Sequence, residues 1–492
     1  MATTPTAVIQ RSDSAHQLAA HYRSIRGATS SACATLSAED QMVQSCAEAS
    51  PVKWHQAHTS WFFETFVLTP FGQNYRAFHP DFHWLFNSYY KSLGEEIPEK
   101  KLRASFSRPS LDQILAYRAH VDVAMAGLLA DPAVPEEAIR RIVLGLNHEQ
   151  QHLELAFTDI KHAFFTNPLQ PAYRDQPIGT LAGSVTREQW IDFKGGLVDI
   201  GYPLDTADPL DFCFDNETPR HRAYLQPYAI SNRLTTCGEY LAFLNDNGYS
   251  RPELWLSEGW DTVEREGWQA PLYWQRSSED PHGWRIFTLG GWRDLGDLFD
   301  TPVCHVSLFE ADAFARWRGC RLPTEAEWEH ATTTFAHNSN ENESPSFQSQ
   351  DENTKSSLRP QNENARLSFR PEDEQFYRSS VVEKPAFLPR HEDTHNLLES
   401  NVLHPTPATT EALSQMLGPC WQWTASPYTG YPGYKPLPGA LGEYNGKFMS
   451  SQIILRGASC VTPRTHARAT YRNFFSPATR WQFSGIRLAR AF

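Results

Sequence analysis

The chain has 492 residues and a formal net charge of −13, an acidity that disfavours nucleic acid as a partner, and it carries no apolar run near the roughly 18 residues of a membrane span. At 40% hydrophobic and 21% charged residues it is a folding sequence rather than a disordered one, and its length predicts roughly two to four domains. Fifteen Trp, 18 Tyr and 29 Phe beside 34 Pro and 27 Gly predict much irregular backbone pinned by large rings.

Residues 1–14 read as a flexible lead-in, without the apolar stretch of a secretory signal. Residues 15–170 read as a helical domain. Segments 54–66, 80–93, 111–130 and 136–165 carry apolar residues at helical spacing. Ser110 sits where a cap belongs, and Pro135 opens the last segment. Four such helices with short connections predict an antiparallel bundle. A linker at 171–189 leads to a loop-rich α+β domain over 190–492. In it, residues 193–201, with the Gly195-Gly196 pair, read as a hairpin or strand pair. Segments 236–245, 308–318 and 324–330 read as helices, the last with Thr324 and Glu327 placed for a capping box. Residues 338–395 stand apart: only 12 of these 58 are hydrophobic, too few to offset the entropy of ordering. They read as a disordered insertion. The eight cysteines form no CxxC pair and read as reduced thiols of a cytoplasmic protein.

The sharpest chemical signal is Asn147-His148-Glu149-Gln150-Gln151-His152. On a helix, His148 and His152 are one turn apart and project from one face, a pair suited to binding a metal. A third ligand is sought on the helix containing Trp54-His55-Gln56-Ala57-His58, since bundle metal sites draw on facing helices. The string also matches HExxH, the zinc-protease pattern, but no Gly and His follow at the extended spacing. Three imidazoles instead leave open positions on a redox metal such as iron, enough for substrate, a thiolate and dioxygen. The Tyr89-Tyr90 pair, close in sequence, offers a proton donor.

Taken together, WHQAHTSWFFE, HEQQHLE, FDNETPRH, RLPTEAEWE, WQWTASPYTGYPG and YRNFFSPATRWQFSGIRLAR resemble the hercynine oxygenases of ergothioneine biosynthesis. That resemblance implies a DinB-like four-helix domain followed by a C-type-lectin-like domain of the sulfatase-modifying-factor type. It implies a non-haem Fe(II) held by His58, His148 and His152, with His55 off the matching position. The implied reaction uses O2 to join the sulfur of a cysteine-type thiol to C2 of the imidazole of hercynine (Nα-trimethylhistidine), giving a sulfoxide. Gln151, Tyr444, Asn473 and Phe474 match the hercynine pocket, with Trp423 a further candidate for its wall; aromatic faces suit a quaternary ammonium. Leu441 stands where one branch carries a tyrosine, so the proton-donor role falls to Tyr89 or Tyr90. Phe475 stands where the γ-glutamylcysteine-using branch has an Asp, which favours free cysteine as the thiol. Arg103 and Arg108 are candidates for its carboxylate. Two alternatives remain at this point: a selenoneine synthase taking a selenosugar, and a metal- or thiol-binding module without catalysis.

Overall fold

The computed structural model describes residues 5–94, 97–174, 186–205, 207–341, 396–443 and 445–492. Four principal helices build the N-terminal part: α1 (Pro5–Cys33), α2 (Val52–Phe63), α3 (Leu111–Leu129) and α4 (Glu136–Thr166). α2 packs against α3 and α4, and α1 against the same two. Local signals explain their ends. Ser110 Oγ accepts from Gln113 N while Gln113 Oε1 accepts from Ser110 N, closing a capping box on α3. α4 opens after Pro135 with Glu136 and Glu137, each paired one turn on to Arg140 or Arg141.

Two expectations for this region need correction. α1 starts at Pro5, inside the segment expected as a flexible lead-in. Proline suits a first helical position, and no Gly or Pro follows until Gly27. Conversely, the helix expected over 80–93 is a single turn, Phe82–Leu85. Its continuation is lost to side chains. The Phe86 carbonyl accepts from His58 Nδ1 at 2.6 Å. Asn87 pairs through Oδ1 with Tyr90 N (3.0 Å) and through Nδ2 with Tyr90 O (3.1 Å). The chain therefore turns, and Tyr89 and Tyr90 sit on that turn.

Every residue of α2 is buried. It runs into a π-helical turn, Glu64–Leu68, whose Glu64 carboxylate accepts from Tyr75 and Tyr117 hydroxyls. Gly145 on α4 lets α2 approach: a Cβ there would lie 2.7 Å from the Phe63 ring and 2.9 Å from Phe62. This contact is one turn before His148 and sets the α2–α4 spacing across which His58 faces it.

Among the described residues, the C-terminal part holds short strands in four small sheets. β1 (Trp190–Phe193) and β2 (Gly196–Ile200) are strands, but they do not pair with each other. β1 pairs antiparallel with β4 (Tyr228–Ser231), and β2 with β3 (His221–Leu225). Gly195, at φ +66, turns the chain between the two sheets with no room for a side chain beside the Leu225 carbonyl. A three-stranded antiparallel sheet follows: β5 (Trp274–Arg276), β6 (Trp284–Thr288) and β7 (Gly291–Asp294). The sheet nearest the site has the order β10-β9-β8-β11, built from β8 (Trp421–Pro427), β9 (Ile453–Gly457), β10 (Asn473–Phe475) and β11 (Ser484–Gly485). β10 is an edge strand, registered Asn473 to Leu455 and Phe474 to Ile454. A last strand, β12 (Ala489–Ala491), joins β4.

Three expected helices form: α5 (Cys237–Asn245), α7 (Leu308–Trp317) and α8 (Glu325–Glu341). Thr236, Ser307 and Thr324 cap them. α6 (Ser257–Glu266) was not expected. The insertion expected at 338–395 lies outside the described residues beyond Glu341. One apolar core is continuous from the bundle, through Trp61 and Leu146, to Trp421 and Tyr471 in the second part.

Candidate metal centre and substrate cavity

α2 and α4 bring His58, His148 and His152 together, with one ligand atom of each within 4.8 Å of the others. His58 and His148 are buried and His152 is half-buried. Burial holds all three imidazoles neutral, the form that ligates a metal. His58 lies well below its ordinary pKa, through burial and then repulsion from His148. His148 is pushed down to about 3 by burial, and His152 falls well below by burial and repulsion from His148 and His58. His58 donates from Nδ1 to Phe86 O, and its buried Nε2 has no hydrogen-bond partner among the described residues. A buried polar atom without a partner is costly. A metal ion among the three rings would supply what Nε2 lacks, so the donor set fits such a group.

Trp54 frames this cluster. Its ring stacks on His58 at 4.5 Å, and the Arg103 guanidinium lies 3.4 Å above it. His55 stands outside the triad and contacts His152 Nδ1 and Asp159 Oδ2. The two glutamates of the histidine segment are committed elsewhere. Glu149 is fully buried between Arg26 and Arg118, and these cations outweigh burial to hold its carboxyl at about 2. Glu154 accepts from Trp421 Nε1, Ser459 Oγ and Thr462 Oγ1, tying α4 to the second part of the chain. Neither glutamate bonds a triad histidine.

Beside His152 of the triad lies a cavity of about 530 Å³, walled on one side by α2, α4 and the Tyr89 turn, and on the other by β8, β10 and their loops. Gln151, Asn473, Phe474, Tyr89 and Arg103 all line it. Phe474 stacks face to face on Tyr428 at 4.0 Å, which fixes the plane it offers. Arg103 is buried and held by Ser50 Oγ (2.8 Å) and Ser88 Oγ (3.1 Å); burial lowers its pKa to about 9.

Other expected residues fall elsewhere. Trp423 is fully buried and donates from Nε1 to Val306 O at 2.8 Å, so it belongs to the core; the tryptophan in the cavity wall is Trp421. Arg108 is exposed, donates to Ser107 O and does not reach the cavity. Tyr90 is fully buried behind Tyr89, stacked on it at 4.6 Å and packed on Trp61 and Phe66. Tyr444 lies outside the described residues. Tyr471 was not anticipated: its hydroxyl accepts from Gln151 Nε2 across the two parts and lines the cavity. Its place two residues before Asn473 was the only signal for it.

Residues 181–492 match the model of the sulfatase-modifying factor enzyme 1-like domain. The chain is 30% identical over 295 residues to a hercynine oxygenase of Mycobacterium tuberculosis, covering 58% of this chain and 57% of that protein. To a hercynine oxygenase of Mycolicibacterium thermoresistibile it is 28% identical over 399 residues, 77% of this chain and 76% of that one. To an ergothioneine biosynthesis protein 1 of Neurospora crassa it is 24% identical over 415 residues, 78% of this chain and 47% of that one. The match thus spans a little over half the length of the first of these relatives. With a helical part preceding a β-rich part whose residues match that model along their whole length, the chain belongs to the family of the sulfatase-modifying factor enzyme 1-like domain.

Proposed function

We propose that this chain is a non-haem iron(II), O2-dependent sulfoxide synthase of ergothioneine biosynthesis, joining the sulfur of cysteine to C2 of the imidazole of hercynine. The observation that carries this is a three-histidine cluster whose His152 lines a cavity bounded on its far side by the edge strand Asn473–Phe475. The similarity to hercynine oxygenases supports the same reading. His58, His148 and His152 would hold the metal, and iron(II) there supplies O2 binding and redox chemistry.

The chain's own residues do the rest. Gln151, Asn473 and Phe474 orient hercynine, with the aromatic face of Phe474 toward its trimethylammonium group. Arg103, stiffened by Ser50, Ser88 and Trp54, pairs with the thiol donor's carboxylate. Tyr89 Oη, rather than the occluded Tyr90, delivers a proton to oxygen. The balance is simple. The thiol S–H and the imidazole C2–H are lost, C–S and S=O bonds form, and the second oxygen atom leaves with both hydrogens as water. Sulfur is oxidised as O2 is reduced. The two-part architecture, with a helical bundle up to residue 170 and the second domain from 190, serves to close this cavity between them, and we place the enzyme in the cytoplasm.

The test is His148→Ala. Metal analysis of the protein loaded with Fe(II) without oxygen is expected to find the wild type stoichiometric and the variant empty, with sulfoxide formation lost. Full iron content in the folded variant contradicts the ligand set. Turnover with a selenosugar but not with cysteine would replace the proposed donor.

A further inference from the structure

His58 and His152 are oriented in different ways. The partner of His58 Nδ1 is a backbone carbonyl at 2.6 Å. A carbonyl only accepts, so it fixes the hydrogen on Nδ1 and leaves the Nε2 lone pair free for a metal. The partner of His152 Nδ1 is another imidazole nitrogen, His55 Nδ1, at 2.8 Å. An imidazole nitrogen either donates or accepts, so this contact alone does not say which ring carries the hydrogen. Were it on His55 Nδ1, the hydrogen of His152 would be forced onto Nε2 and block its lone pair.

The other end of His55 decides. His55 Nε2 lies 3.1 Å from Asp159 Oδ2. The same oxygen accepts from Ser50 N at 2.8 Å, so it acts as an acceptor there and calls for N–H from His55 Nε2. In its neutral form His55 has one N–H. With it on Nε2, His55 Nδ1 is bare and accepts from His152 Nδ1–H. His55 and Asp159 are 3% and 5% exposed, at the edge of the cavity.

We infer that His55, set by Asp159, is a positioning residue that keeps the hydrogen of His152 on Nδ1 and so presents its Nε2 to the metal. This rests on the three-histidine metal reading above. It gives a task to the one histidine of the α2 segment that the triad leaves out, and to a buried carboxylate that the proposed reaction does not use.

The test uses the full chain, metal-free, with ¹⁵N-labelled histidine at neutral pH, and Co(II) alone as the metal probe. In the wild type, ring ¹⁵N–¹H spectra are expected to show His152 protonated on Nδ1 and His55 on Nε2. His55→Leu is expected to move the His152 hydrogen toward Nε2 and to weaken Co(II) binding about 10- to 100-fold. His55→Gln, whose side-chain carbonyl accepts a hydrogen bond, should recover much of that loss. A role in packing alone would not separate Gln from Leu in this way. Wild-type His152 protonated on Nε2, or a His55→Leu protein binding Co(II) within twofold of wild type, overturns the inference. The wild-type spectrum needs no variant to fold. A wild-type chain that binds no Co(II) instead overturns the metal reading, while its tautomer still judges His55.

Discussion

The two walls of the cavity are built on opposite principles. The α2–α4 wall is regular and over-determined. Its histidines sit on long helices, its spacing is set by Gly145 against Phe62 and Phe63, and its core holds the Arg26–Glu149–Arg118 ion cluster. The facing wall is an edge strand, a tryptophan and loops, with Phe474 held by stacking on Tyr428. Metal coordination tolerates little displacement, and rigid elements supply that precision. Substrate shape is more easily tuned on loops carried by a scaffold. Changes in the helical wall should therefore act on folding and metal content, and changes facing the cavity on substrate affinity.

The largest effect expected is from Glu149→Gln. It leaves two buried guanidiniums with a weaker partner and should cost about 3–5 kcal/mol in urea unfolding. The sign with pH follows from the depressed carboxyl. Its folded value of about 2 lies below the ordinary value of 4.5, so its contribution is full above that unfolded value and lost as pH falls toward 2. Wild-type stability should decline over that window, and the variant's should decline less.

Gly145→Ala comes next. The added methyl meets the Phe62 and Phe63 rings and should cost about 1–3 kcal/mol by overpacking, with weaker iron retention because α2 and α4 are wedged apart beside the ligands. Unchanged stability would mean the rings yield freely and the wall is softer than described. The smallest effect separates the two arginines. Arg103→Ala should raise the KM for cysteine about tenfold, on the order of 1.4 kcal/mol, with iron content unchanged, while Arg108→Ala should leave KM within experimental error. Equal effects would erase the distinction drawn from their positions.

The helical wall was also the more legible in sequence. The one-turn spacing of His148 and His152 and the capping signal at Ser110 are local, and helix geometry converts them directly into placement. What failed was non-local. Nothing near residues 80–93 announces that His58 takes the Phe86 carbonyl and that Asn87 turns the chain at Tyr90. The Gly195-Gly196 pair looks like a hairpin turn, yet the strands around it leave for different partners. Trp421 and Trp423 are two residues apart, so strand alternation puts both on one face; only tertiary packing decides that one meets the cavity and Glu154 while the other enters the core. Tyr471 and the Asp159–His55 contact were hidden for the same reason, because each depends on elements distant in sequence.

The central claim is that the histidine cluster and the facing wall together perform an oxygen-dependent C–S bond formation. Its most direct test is turnover of the iron(II)-loaded protein with hercynine, cysteine and ¹⁸O2, following oxygen uptake and product mass. The account predicts uptake only when both substrates are present, and a C2-linked sulfoxide carrying a single ¹⁸O. Uptake that yields only cystine, or a product without the label, would contradict it.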